Sequence, residues 1–297
     1  MLQFLTLKQR YSAFREAFLT RWAVCKQACH QVFSREHSQP TISVVGIGTQ
    51  YGSHILNQDF LAELLYRHCR RSPVVLKTLN LLERAGVRQL CSVLPLEDPI
   101  WYQPKLPTIA DGDTLFKKYA LPLVASAAKD AISEWGGSVG SITHLIAVTC
   151  TNTANPGFDI SLCSMLGLSS TIHRTLLHGL GCAGGIAALR TAHDLVLGAA
   201  LQGLPARALI VSCDLPTLFA RAELHRINED GEIGFGLSRF SDGASAMVIT
   251  NWLDTTIPEH AAIWDLLGFR SVIIDESEGY SELNVGPLGA VRFRPLF

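Results

Sequence analysis

Hydrophobic and polar positions along this chain switch repeatedly between the period of a strand and the period of a helix. After Pro40, the run Thr41-Ile-Ser-Val-Val-Gly-Ile-Gly48 is apolar and β-branched, which predicts a buried strand ending in a glycine turn. From Gln58 to His68 the apolar positions return at helical spacing. A second helix is expected from Lys117 to Trp135, with Pro122 near its first turns, where a missing N–H is tolerated, and Gly136-Gly137 as its stop. A strand His144–Cys150, a helix Asp159–Leu166, a short strand Arg174–His178, a helix Ile186–Ala200 and strands Ala208–Cys213 and Ala244–Thr250 follow. Strands alternating with helices imply an α/β fold built on a mostly parallel sheet covered by helices. No short-period repeat or low-complexity tract interrupts the pattern.

The first 40 residues differ from the body. They carry six basic side chains against two acidic ones, and Phe4, Leu5, Leu7, Tyr11, Phe14, Phe18 and Trp22 recur at roughly helical spacing. An amphipathic helix is expected there, packing on the body, crossing to a dimer partner or serving as a targeting presequence. The pattern thus sets a helical segment 1–40 apart from the body that follows.

Composition narrows the function classes. With 48% hydrophobic and only 17% charged residues among 297, the chain can bury a large core and have apolar surface left for an interface, so a homodimer is expected. The formal net charge of −1 lacks the basic excess that phosphate-backbone binding requires, so no nucleic-acid partner is expected. No apolar run reaches the ~18 residues of a membrane-spanning helix, and the expected location is the cytoplasm. The eight cysteines are scattered and read as reduced thiols. Cys25, Cys29 and His30 have no second ligand pair at zinc-finger spacing, so no metal is expected.

One thiol stands apart. Gly181-Cys182-Ala183-Gly184-Gly185 sets Cys182 between a strand and a helix, among residues too small to crowd a ligand. Backbone N–H groups at a helix N-terminus favour negative charge on sulfur and can hold an oxyanion when a thioester is attacked. By itself the motif also fits a small buried cysteine in a glycine turn. Two other motifs fail on spacing. Gly46-Ile-Gly48-Thr-Gln-Tyr51-Gly52 has Tyr51 where a dinucleotide fingerprint needs its third glycine, and a hydrolase nucleophile elbow would need glycine where Leu180 stands.

Several short segments carry a resemblance together. Ala128-Lys-Asp-Ala-Ile-Ser-Glu-Trp-Gly136, Ile142-Thr-His-Leu-Ile146, Cys150-Thr151, Pro156-Gly157-Phe-Asp159 and Leu166-Gly-Leu168 follow in order the pattern of the chalcone and stilbene synthases, the type III polyketide synthases. Gly181–Gly185 then falls at the spacing of that family's nucleophile. Phe240-Ser-Asp-Gly-Ala-Ser-Ala246 resembles its Phe-Gly-Asp-Gly-Ala-Ala-Ala segment, and Glu276-Ser-Glu-Gly279 its Asp-Ser-Glu-Gly. The match covers residues 41–290, and Phe219 to Leu224 is most similar to fungal members.

The resemblance implies a thiolase-like fold of two related halves in αβαβα layers, paired as homodimers, of which this chain matches the N-terminal half: residues 41–250 as the N-terminal domain and 251–297 as the start of a truncated C-terminal domain. It implies an acyltransferase that moves an acyl starter from coenzyme A to a cysteine and condenses it with malonyl-CoA in polyketide biosynthesis. The substrates are coenzyme A thioesters, and no other cofactor is implied. Cys182 would be the nucleophile, Phe240 an aromatic of the acyl pocket, Phe219 a gatekeeper and Arg67 a contact to coenzyme A phosphate. Asn155-Pro-Gly157 would belong to a loop reaching the partner subunit's pocket. The family's catalytic histidine and asparagine fall in the C-terminal half, beyond Phe297, and His173, His178, His193 and His225 do not match their positions. Two readings follow: a synthase whose activity in this chain is impaired, and a non-catalytic homologue that pairs as a heterodimer with a full-length synthase. A third, a ketoacyl synthase III-like acyltransferase, would use carrier-protein substrates.

Overall fold

The computed structural model describes residues 41–84, 86–234, 236–255, 262–273, 283–285 and 291–293. The expected segment 1–40 and the Glu276–Gly279 motif lie outside these residues. The elements in chain order are β1 (Ile42–Tyr51), β2 (His54–Asn57), α1 (Gln58–His68), α2 (Pro73–Arg84), β3 (Gln89–Ser92), α3 (Ile109–Trp135), β4 (His144–Val148), α4 (Phe158–Leu166), β5 (His173–Leu177), α5 (Gly184–Leu201), β6 (Arg207–Asp214), α6 (Ala220–Glu229), β7 (Gly243–Asn251) and β8 (Trp264–Leu266). Two antiparallel ribbons add to them: β2 with β3, and β9 (Leu283–Val285) with β10 (Val291–Phe293).

Six strands form one sheet in the order β5-β4-β6-β7-β1-β8. β4 is parallel to both β5 and β6, whereas β6–β7, β7–β1 and β1–β8 are antiparallel. The expected mostly parallel sheet is therefore corrected to a mixed one. The parallel part needs helical crossovers, and α4 and α5 supply them; the antiparallel strands come from long returns that apolar runs alone do not reveal.

Among the described residues α3 is the longest helix, and it is the centre of the larger core. It starts eight residues before the expected Lys117, because Thr108 caps it: the Thr108 hydroxyl accepts from Asp111 N, and the Asp111 carboxylate accepts from Thr108 N. Pro122 therefore lies in the interior rather than the first turns, on the exposed face, where the carbonyl it leaves unpaired meets water. Gly136 ends the helix with φ 78°, as its position predicts. Small buried residues line this helix, and two of them, Ala127 and Ala131, meet Gly46 and Gly48 of β1. A Cβ on Gly46 would sit 2.1 Å from Ala131 O, and one on Gly48 would sit 2.0 Å from Ala127 O. The glycines expected to turn the chain instead lie inside a strand that continues to Tyr51, and they let α3 approach the backbone.

The two faces of the sheet are covered unequally. One carries the larger core, with Trp101, Phe116, Leu64, Leu145 and Leu162 fully buried. The other carries a smaller cluster of Val44, Ile146, Val148, Ile210 and Ile249 under Ala188, Ala192 and Val196 of α5.

Candidate active site

β4 feeds α4 on the larger-core face, whereas β5 feeds α5 on the opposite face. Loops that leave neighbouring parallel strands toward opposite faces open a crevice at the strands' carboxyl ends. Cys150 stands on one side of this crevice, two residues past β4, and Cys182 on the other, in the turn before α5.

Cys182 lies in a single 3-10 turn, Gly181–Ala183, that runs directly into α5. Gly179 and Gly181 take φ of 74° and 51°, so the two glycines reverse the chain between strand and helix. The first bond of the turn runs from Ala183 N to Leu180 O, so the amides of Gly181 and Cys182 precede it at the positive end of α5. Gly184 packs on β4; a Cβ there would lie 2.6 Å from Val148 Cγ2. Of the six described thiols, Cys182 alone is exposed. Burial pushes the Cys69 thiol up to about 11, and Cys163 and Cys213 also upward. Cys150 is pushed up to about 12 by burial, by Asp214 beside it and by the charge Cys182 can carry. Cys182 is thus the exposed thiol of the crevice and Cys150 the partly buried one.

Asp214, at the end of β6, ties the other wall together. Its Oδ1 accepts from Cys150 N at 2.7 Å, Thr149 Oγ1 at 3.0 Å and Thr151 Oγ1 at 3.3 Å, and Leu215 N donates to Thr151 Oγ1 at 3.0 Å. Beyond this knot lies a cavity of about 500 Å³, lined by Cys150, Asn152, Asp113, Lys117, Ile109 and Phe219 among others. Asp113 accepts from Lys117 Nζ at 2.7 Å and Asn152 Nδ2 at 3.0 Å. Burial would raise the Asp113 carboxyl, but these donors and the ammonium charge outweigh it and hold it below its ordinary value.

The residues expected at the site separate. Phe219 lines the cavity, and Asn155 lines it in its own chain. Cys182 is not part of the lining and stands across Cys150 from it. Phe240 sits half-buried just before β7, outside the lining, and Arg67 is exposed on α1, paired with Glu63 at 3.2 Å and 4.8 Å from the Tyr102 ring centre. The Phe240–Ala246 motif holds a buried staple: Asp242 accepts from Val93 N at 2.8 Å and from Thr217 N at 2.9 Å, which anchors the turn before Phe219. Sequence reading missed the wall built by Ile109, Asp113 and Lys117. The capping pair Thr108 and Asp111 was the signal that could have found it.

The family model for the N-terminal domain of chalcone and stilbene synthases matches residues 30–251. The chain belongs to the chalcone and stilbene synthase family. It is 41% identical over 249 residues to the acylalkylpyrone synthase csyB of Aspergillus oryzae, covering 84% of this chain and 63% of that protein. It is 32% identical to the type III polyketide synthase pspB of Penicillium soppii, covering 85% of this chain and 70% of that one. A crystal structure of CsyB complexed with CoA-SH superposes with a TM-score of 0.82 at 38% identity, over 86% of this chain and 67% of that one. A type III pentaketide synthase from Neurospora crassa gives the same TM-score at 35% identity, over 86% and 66%. The chain thus spans just under two thirds of the first of these relatives, and its fold is the N-terminal half of a thiolase-like chalcone and stilbene synthase.

Proposed function

We propose that this chain is the acyl-loading half of a type III polyketide synthase, with Cys182 as its nucleophile and acyl-CoA as the donor. The observation that carries this reading is the one exposed thiol among those described, set at the positive end of α5 beside a cavity of acyl dimensions. In the loading step the Cys182 sulfur forms a bond to the acyl carbonyl carbon. The carbon–sulfur bond to coenzyme A breaks, and coenzyme A leaves as its thiol with a proton. The amides ahead of the first bond of the turn are placed to hold the oxygen that becomes negative as the carbonyl is attacked. Phe219 then limits the cavity, Arg67 receives coenzyme A phosphate beside Tyr102, and Phe240 backs the acyl wall. Malonyl-CoA supplies the extender, and coenzyme A thioesters are the only small molecules the reading needs.

The partner in this reading is a second synthase subunit. Among the described residues β5 is an edge of the sheet, bonded to β4 on one side, and an open edge is a template for another strand. The reading is tested by incubating the protein with a fatty or aromatic acyl-CoA and malonyl-CoA, followed by mass spectrometry of protein and products. The expected result is an acyl adduct on Cys182 that is lost in Cys182→Ala. New pyrone or resorcinol products would add condensation to loading. A folded protein with no adduct would sink the reading and leave the non-catalytic subunit, which co-purification with a full-length homologue would then detect.

A further inference from the structure

The cavity's two walls meet at a buried cation that the reaction scheme above does not use. Arg221, in the first turn of α6, is 4% exposed. It sits two residues after Phe219 and next to Ala222, and both of these line the cavity. Its Nη1 donates to Trp101 O at 3.0 Å and its Nη2 to Gln103 O at 2.9 Å. Nη1 also meets the His68 ring, 2.6 Å from Nε2 and 2.9 Å from Nδ1, while His68 Nε2 lies 2.7 Å from Trp101 O. The ring's tautomer sets which of its nitrogens accepts from the guanidinium.

Trp101 is itself fixed, fully buried, with its indole N–H donating to Pro95 O at 2.8 Å and its ring edge-on to Phe60. The segment that Arg221 grips continues within a few residues to Pro107, Thr108 and Ile109, the opposite lip of the cavity. No ion pair among the described residues includes Arg221, and its Nε, buried, has no hydrogen-bond partner there. A guanidinium held by carbonyls and a neutral ring keeps much of its desolvation cost. An apolar side chain would fill the same space more cheaply, but it could not span both backbone carbonyls.

We infer that Arg221 is a positioning residue: it clamps the 101–103 segment and α1 to α6, sets the distance between the cavity's two walls, and so selects the length of the acyl chain. The selection clause rests on the acyl-CoA reading above; the clamp itself does not.

The test compares the full chain with Arg221→Gln and Arg221→Lys by hydrogen-exchange mass spectrometry, and by Cys182 loading from straight-chain acyl-CoAs of increasing length. Arg221→Gln should speed exchange about tenfold or more in both 101–109 and 216–223, with β4 to β6 unchanged. It should also change the ratio of long-chain to short-chain loading by about tenfold, while alkylation of Cys182 by iodoacetamide stays within about twofold. Arg221→Lys should recover only part of each effect, because an ammonium cannot bridge both carbonyls. If Arg221→Gln does not fold, His68→Phe removes one arm of the clamp and should shift both readouts the same way. Unchanged exchange in either segment would overturn the clamp. Faster exchange with an unaltered chain-length profile would overturn the selection. Absence of loading by any acyl-CoA in the unaltered protein would fell the acyl reading, and exchange alone would then decide the clamp.

Discussion

Asp242 illustrates how one side chain can hold the site and tax the fold together. Its carboxylate accepts from Val93 N and from both the amide and the hydroxyl of Thr217, so it fixes the turn that presents Phe219. Burial nonetheless pushes its pKa up to about 6, from an ordinary carboxylate value of 3.8. Raising an acid's folded pKa means the folded state holds the proton more tightly than the unfolded chain does. Asp242 therefore contributes most stability below its unfolded pKa, and that contribution is lost as pH rises through about 6. Urea titrations from about pH 4 to about pH 7 should show the unaltered protein losing about 2 kcal/mol relative to Asp242→Asn, which does not titrate. Parallel pH profiles would contradict it. At the same scale, the turn that carries Cys182 was legible in its glycines: Gly179 and Gly181 turn the chain, and Gly184 lets it pack on β4. Arg221 was not legible, because an arginine in a polar helix reads as a solvated charge. Only the packing of α1 and residues 101–103 against α6 reveals that it points inward.

At the scale of elements, the β1–α3 contact sets the geometry of the core on which the cavity stands. Gly46→Ala would drive a methyl to 2.1 Å from a helix carbonyl that cannot swing aside, since backbone on both sides is locked in strand and helix. It should cost about 3 kcal/mol or more, by urea denaturation, toward the upper end of overpacking changes. Gly112, also a glycine but inside α3, meets nothing within 4 Å. Gly112→Ala should stabilise the protein by about 0.5–1 kcal/mol, through a less flexible unfolded chain and a better helix former. Opposite signs for the same substitution would confirm that space, and not glycine content, decides. The contrast also explains the misread turn. Sequence pattern registers that a glycine is present but not whether it serves φ or close approach, so a β1 that runs to Tyr51 was shortened to Gly48. Periodicity found α1 and, within a residue or two, α4, α5, β6 and β7. It missed α2, which buries only Val75, Thr78 and Leu82, and α6, whose buried face includes Arg221.

The whole molecule is lopsided, and that asymmetry has a measurable consequence. Among the described residues, helices α1 to α4 and α6 cover one face of the sheet, while α5 packs the smaller cluster on the other. Beneath it the sheet residues are buried, Val44 at 1% and Ile146 and Ile249 at 0% exposed, so the apolar surplus of this side lies outward, on α5 and at the sheet edge. The surplus is visible as apolar surface: Ile186 and Leu201 of α5 are 66% and 79% exposed, and Trp264 of β8 is 57% exposed. Composition pointed the same way, since low charge in a chain of this length predicted apolar surface to spare, and Tyr66 of α1 and Leu76 of α2 are exposed as well. Exposed apolar side chains of this kind bind hydrophobic dyes and promote association. The isolated chain should therefore enhance ANS fluorescence and elute early or broadly from size exclusion. Ile186→Lys with Leu201→Lys should reduce both while leaving the melting temperature within about two degrees, because neither side chain contributes to the buried core. Dye binding that survives the double substitution would place the accessible apolar surface elsewhere, most directly at the open edge of β5. The same variant separates association through the α5 face from pairing through that edge, since two ammonium groups on α5 would abolish the first and leave the second intact.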